Sequence, residues 1–207
     1  MSALGAGTWA WGDRLMWGYG EPGGYSDEDL WGAYRECRRL GVTLFDTAEA
    51  YGNGRSEELC GEFGRRFAEG AEEPEDDVKE VCVATKYLPL RLGPRTVERA
   101  LRGSLKRLGV SKVDLYQLHF PSLVFEERVW DELAELYQSG LVRSVGVSNY
   151  SEERLRAVYK RLKEKGVPLA SNQVRYSLLW RNPEASGVMD AAEELGVKIL
   201  AYCTYVC

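Results

Sequence analysis

The chain has 207 residues, 44% hydrophobic and 29% charged, with a formal net charge of −5. That is a globular composition with enough length for one domain and a sizeable core. The acidic balance leaves no basic footprint for nucleic acid, and no apolar run approaches the ~18 residues of a membrane-spanning helix.

The start, Met1-Ser-Ala-Leu-Gly5, has neither the charged nor the apolar region of a signal peptide. Cys37, Cys60, Cys82, Cys203 and Cys207 are odd in number and scattered, which points to reduced thiols in a soluble, cytoplasmic protein. A plastid location stays open if a transit peptide precedes the chain. No metal site is expected, because Cys203 and Cys207 lack companion ligands.

Short β-branched runs alternate with longer helical patterns along the chain. A first strand is predicted near 4–9. The stretch Gly18-Tyr-Gly20-Glu-Pro-Gly23 that follows matches GxGxxG, but it runs on into Gly24 with no helix opening, so it reads as a loop. Ser26-Asp-Glu-Asp29 supplies a cap and acidic first turn to a helix near 27–40, which Gly41 ends. A strand near 42–46 and a helix near 55–69 come next, then the charge run Ala71-Glu-Glu-Pro-Glu-Asp-Asp77, read as a solvated loop. The third strand is predicted near 80–85, and Pro94 opens a helix near 95–108 that Gly109 closes. Strands near 113–118, 142–147, 169–174 and 197–202 then alternate with helices near 127–139, 151–165 and 184–195. Gly140, Gly166 and Gly196 end these helices, and Ser151-Glu-Glu153 caps the second of them.

Strict alternation implies parallel strands joined by right-handed crossovers. An open doubly wound sheet and an eight-stranded barrel both satisfy it. The polar residues favour the barrel. They fall at the C-terminal ends of many strands, as in barrel active sites, whereas an open sheet gathers them at one switch point after a Gly-rich turn.

Four of these residues suggest chemistry. Asp46 closes Val42-Thr-Leu-Phe45, Tyr51 follows five positions later, Lys86 ends Val81-Cys-Val-Ala-Thr85, and His119, the one histidine, ends Val113-Asp-Leu-Tyr-Gln-Leu118. A phenol is a poor acid near neutrality, and an adjacent ammonium makes it a better proton donor. Asp46 would keep Lys86 charged, and His119 would hydrogen-bond the oxygen that Tyr51 protonates. Taken singly, such a residue is more often a surface ion pair or a packing group, and it is the joint placement at strand ends that points to a site.

In order along the chain, Gly5-Ala-Gly-Thr-Trp9, Gly41-Val-Thr-Leu-Phe-Asp46-Thr-Ala-Glu-Ala-Tyr51-Gly52, Val83-Ala-Thr-Lys86, Asp114-Leu-Tyr-Gln-Leu-His119, Gly146-Val-Ser-Asn149 and Asn172-Gln173-Val174 resemble the aldo-keto reductases. Thr8-Trp9-Ala-Trp-Gly-Asp13 is most similar to plant and algal members. The resemblance covers residues 1–207 as one such domain and implies an α/β fold, the (β/α)8 barrel, with NADPH (NADP) as cofactor and a small carbonyl compound as substrate. It implies a catalytic set of Tyr51 as acid with Lys86, Asp46 and His119. It also implies cofactor contacts from Thr8, Trp9, Asp46, Ser148, Asn149, Gln173 and Tyr202, the last stacking on the nicotinamide. Trp9, Trp11 and Phe120 are candidates to line the substrate pocket, with packing as the alternative. For Ser148 and Asn149 the alternative is a helix N-terminal region.

The chain departs from the family pattern at its ends. About seven parallel strands and six helices are expected, with the eighth strand and the C-terminal helices missing. The expectation is therefore an incomplete barrel with open edges prone to self-association, and with part of the NADPH site absent. The alternative to an active reductase is a truncated, weakly active or inactive interaction protein of the same family.

Overall fold

The computed structural model describes residues 2–70, 80–90, 93 and 95–205. The charge run at 71–77, Pro94 and Cys207 lie outside the described residues. The chain divides into two compact units, residues 1–86 with 100–114 and residues 87–99 with 115–207.

In the first unit, β1 (Gly5–Gly7), β2 (Leu44–Asp46) and β3 (Cys82–Tyr87) run parallel in chain order. The register sets Gly7 against Asp46 and Asp46 against Ala84. Helix α1 (Arg14–Trp17) is a single turn that the sequence reading did not anticipate; the Asp13 side chain accepts from Met16 N at 2.9 Å and caps it. The loop expected at residues 18–24 is a loop.

Helix α2 (Asp27–Arg39) starts at Ser26 with a reciprocal capping box: Ser26 accepts from Asp29 N, and the Asp29 carboxylate accepts from Ser26 N at 2.8 Å. Together with α3 (Arg55–Glu69) it covers β2 through an aromatic core. Tyr34 stacks on Phe45 at 4.5 Å, and Trp31 and Trp11 meet Phe63 at 5.6 and 5.7 Å. Each such ring contributes roughly 1.5–3 kcal/mol by burial, and each well-oriented pair about 0.5–1.5 kcal/mol more. Burial pushes the Tyr34 phenol up to about 12.

In the second unit, β4 (Leu115–Leu118), β5 (Val145–Ser148), β6 (Leu169–Arg175) and β7 (Lys198–Tyr202) are parallel, again in chain order. Helices α5 (Glu126–Gln138) and α6 (Glu152–Glu164) bury apolar stripes made of Val129, Trp130, Leu133 and Leu136 on one and Leu155, Val158 and Leu162 on the other. These are the periodic residues of an amphipathic helix. Ser151 caps α6, as expected.

Two details of this unit escape the periodicity. The last helical pattern is split into α7 (Asn182–Ala185) and α8 (Val188–Leu195), because Gly187 turns to φ +75° between them. Helix α4 (Thr96–Leu108) is held at its start by a carboxylate from α5: Glu132 accepts from Arg95 N and Val97 N, both at 3.0 Å.

All seven expected strands and six principal helices are present, displaced by one to three residues at most ends. Among the described residues, the expectation of reduced thiols fails at Cys203. Cys37, Cys60 and Cys82 are free, but Cys203 is disulfide-bonded. No helix among the described residues is long and apolar enough to cross a membrane.

Candidate active site

In the first unit, β2 ends at Asp46 and the chain turns through a 3-10 segment, Tyr51–Gly54, directly into α3. Gly52, Asn53 and Gly54 all adopt left-handed backbone, with φ of 53°, 55° and 95°. A Cβ on Gly52 would lie 2.7 Å from the Gly12 carbonyl carbon and 2.9 Å from the Trp11 oxygen, so that position accepts no side chain. This tight turn fixes where Tyr51 stands relative to the strand ends.

Lys86, the fifth residue of β3, is completely buried. Its Nζ donates to Asp46 Oδ2 at 2.5 Å, to the Thr47 carbonyl at 2.9 Å and to the Tyr51 hydroxyl at 3.3 Å, and it lies 4.8 Å from the centre of the Tyr51 ring. Burial disfavours the ammonium, but Asp46 and then Tyr51 oppose it, and the net effect holds Lys86 above its ordinary value. Lys86 is therefore a cation at neutral pH. Three of the four residues singled out from the sequence are thus brought into one hydrogen-bonded cluster.

His119 follows β4 in the second unit. Its backbone N–H donates to the Tyr87 carbonyl at 2.9 Å, its carbonyl accepts from Asn149 Nδ2 at 3.1 Å, and its ring lies against Phe120 at 4.9 Å, nearly parallel. Phe120 is close to half exposed.

Asn149 anchors a second polar cluster at the ends of β5, β6 and β7. It takes a left-handed φ of 61°, which asparagine tolerates. Its N–H donates to the Gln173 carbonyl at 2.8 Å, its Nδ2 also donates to Ser148 Oγ at 3.1 Å, and its Oδ1 accepts from the Tyr202 hydroxyl at 2.9 Å. Ser148 in turn donates to the Gln173 carbonyl at 2.9 Å. Behind it, the buried Asn172 amide clamps the Tyr150 backbone, donating to its carbonyl at 3.1 Å and accepting from its N–H at 3.4 Å. Ser148, Asn149, Tyr202 and the Gln173 backbone carbonyl are thus joined in one hydrogen-bonded set. The sequence reading assigned no role to Asn172, whose signal was its place beside Gln173.

The first-strand candidates divide. Trp9 is 41% exposed, edge-on to Trp17 at 5.6 Å. Trp11, by contrast, is buried between Phe45 and Phe63 and packs as core. Thr8 is fully buried, and its hydroxyl is engaged by Ser56 and the Asp46 carbonyl, at 2.7 and 3.0 Å. Its polar group serves the interior of the protein.

The aldo/keto reductase family pattern matches residues 3–205. The chain is 39% identical over 212 residues to the chloroplastic pyridoxal reductase of Arabidopsis thaliana, an alignment covering 98% of this chain and 56% of that protein. It is 34% identical to the aldo-keto reductase YhdN of Bacillus subtilis (strain 168), covering 97% of this chain and 57% of the relative. Its backbone is similar to an aldo/keto reductase from Klebsiella pneumoniae crystallised with NADP and acetate. The TM-score is 0.79 at 27% identity, over 98% of this chain and 64% of that one. The chain belongs to the aldo/keto reductase family, and its fold class is the α/β, (β/α)8-type fold of these enzymes, with seven of its parallel strands described. It spans a little over half the length of the two curated relatives.

Proposed function

We propose that the protein reduces an aldehyde or ketone to an alcohol with NADPH, and that Tyr51 gives the proton. The observation that carries this reading is the Lys86 ammonium, 3.3 Å from the Tyr51 hydroxyl and 2.5 Å from Asp46. A cation at that distance favours the phenolate over the phenol, so the proton leaves more readily. Asp46 keeps the cation charged inside a buried site. As Tyr51 releases its proton to the carbonyl oxygen, the Lys86 charge stabilises the phenolate left behind. His119 is assigned the hydrogen bond that orients the same oxygen, the role its resemblance implies.

The second cluster has the donor set a nicotinamide needs. An asparagine amide, a serine hydroxyl and a glutamine present donors and acceptors suited to a carboxamide, and the Tyr202 ring, tied to Asn149, offers a flat apolar face. Ser148, Asn149 and Gln173 would hold the amide of NADPH and Tyr202 would lie against its nicotinamide; the cofactor would supply the hydride for a carbonyl carbon. The printed name of the Arabidopsis relative makes pyridoxal a first substrate to try.

Tyr51→Phe is the direct test. Reduction should fall by about 100-fold or more, while NADPH binding, followed by fluorescence titration, stays within about twofold, since no cofactor contact is removed. Undiminished turnover in the variant would reject Tyr51 as the acid.

A further inference from the structure

A further buried polar cluster lies beside Asp46 and Lys86, with no direct part in the proton transfer. Ser56 and Glu57 are consecutive residues in the first turn of α3, and both are fully buried. The Ser56 hydroxyl lies 2.7 Å from the Thr8 hydroxyl and 2.8 Å from that of Thr47. Thr8 in turn donates to the Asp46 carbonyl through both its N–H and its hydroxyl, each at 3.0 Å. Each hydroxyl has one proton. With Thr47 donating to Ser56 and Thr8 donating to the Asp46 carbonyl, Ser56 shares its proton between the hydroxyl of Thr8 and the carbonyl of Thr8, the latter at 3.0 Å. The chain of hydrogen bonds thus ends on the residue whose carboxylate holds Lys86. It also grips Thr47, whose carbonyl is another of the three acceptors for Lys86 Nζ.

Glu57 acts on the opposite partner. One carboxylate oxygen accepts from Thr85 Oγ1 at 2.5 Å, and the other accepts from Arg107 Nε at 2.7 Å and Nη2 at 2.6 Å. Thr85 and Lys86 are neighbours on β3, so their side chains point to opposite faces of the strand. Anchoring Thr85 on the helix side therefore fixes the strand from which Lys86 projects. The Arg107 fork gives the buried Glu57 carboxylate a charged partner on the oxygen that Thr85 leaves free.

One dipeptide thus grips both halves of the ion pair, Asp46 and Thr47 through Ser56, and Lys86 through Glu57. The same helix begins three residues after Gly52, in the turn that carries Tyr51. We infer that Ser56 and Glu57 are positioning residues that set the Lys86–Asp46 contact and, through it, the proton-donating competence of Tyr51. This deepens the reductase reading of the same site and rests on it.

The hypothesis makes Lys86 itself the reporter. The charged and titratable groups around it in this unit are Asp46 from β2 and Tyr51 from the 3-10 turn. The Glu57–Arg107 pair lies across β3, and the Cys60 thiol, pushed up to about 12 by burial, sits beside Thr8 and Thr47. Burial alone would drive the Lys86 titration down, and Asp46 prevents this. Loosening the Asp46 segment leaves the burial in place and weakens the opposition.

The experiment compares Ser56→Ala and Glu57→Gln with wild type by NMR of protein labelled at lysine Cε, with Lys86→Met to assign the signal. Leu155→Ala in α6, a core truncation outside the site, serves as an equally destabilised control. The Lys86 midpoint should move to lower pH in both site variants and stay in place in the control. In parallel, kcat for a simple aromatic aldehyde should fall about 10- to 100-fold in the site variants, with KM for NADPH within about twofold. Should Ser56→Ala fail to fold, Ser56→Cys keeps the size and a weak donor and carries the same readouts. An unmoved Lys86 titration in the site variants, or an equal displacement in the control, overturns the proposal. A wild-type chain that reduces no carbonyl overturns the reductase reading instead, and the NMR titration still decides the positioning role.

Discussion

At the scale of single residues, Lys86 carries the most consequence. A completely buried ammonium is costly unless paired and hydrogen-bonded, and its three acceptors answer that cost. The pairing has a pH signature. The folded-state value of Lys86 lies above the 10.5 of a free lysine. Its contribution to stability is therefore fully present below that pH and is lost as pH rises through the folded value. In urea unfolding, Lys86→Met should be less stable than wild type by about 2–3 kcal/mol at pH 7, because Asp46 loses its partner. The gap should be flat to about pH 10 and narrow above it. A gap that widens with alkaline pH would contradict the pairing. The sequence exposed Asp46 and Lys86 through their strand-end positions and Tyr51 through its place five residues beyond the first of them. It could not say that Thr8 turns inward to Ser56 or that Trp11 belongs to an aromatic core, because a residue type at a strand end does not reveal which side its chain is on.

At the scale of elements, the helix and strand pattern was legible almost throughout, because apolar spacing and capping residues are local signals. The Ser26 capping box and the Ser151 cap appear where the sequence puts them. The start of α4 was not legible in the same way, since its cap comes from Glu132, 35 residues further on at Val97. The four free N–H groups of a helix start need acceptors, and a buried carboxylate is a strong one. Glu132→Ala should destabilise the protein by about 1–3 kcal/mol, and amide exchange should quicken first at Arg95 and Val97. Glu132→Gln, which keeps an acceptor, should lose less. Equal losses in the two variants would show that packing, not capping, is what Glu132 supplies.

At the scale of the whole molecule, strand order follows chain order within each unit, which is what repeated βα connections produce. Among the described strands, β1 pairs with β2 alone and β7 with β6 alone. Lys198 and the short Gly5-Ala-Gly7 strand blunt these edges, since charge and brevity both discourage further pairing. Half-buried Ile199 and Leu200 pull the other way.

The sequence alone determined the alternation of strands and helices, the parallel α/β class, the family resemblance and the residues Asp46, Tyr51 and Lys86 that the fold brings into one hydrogen-bonded cluster. All of these rest on local spacing, on punctuation by Gly, Ser and Pro, or on motifs a few residues long. Only the tertiary structure decided which polar atoms meet. The contacts beside the ion pair join residues 28, 48 and 50 positions apart, Thr85 with Glu57, Thr8 with Ser56, and Arg107 with Glu57. Periodicity tells which face of an element is buried. It holds no record of the partner that a buried hydroxyl or carboxylate finds across the core, because that choice is made by the packing of elements distant in sequence.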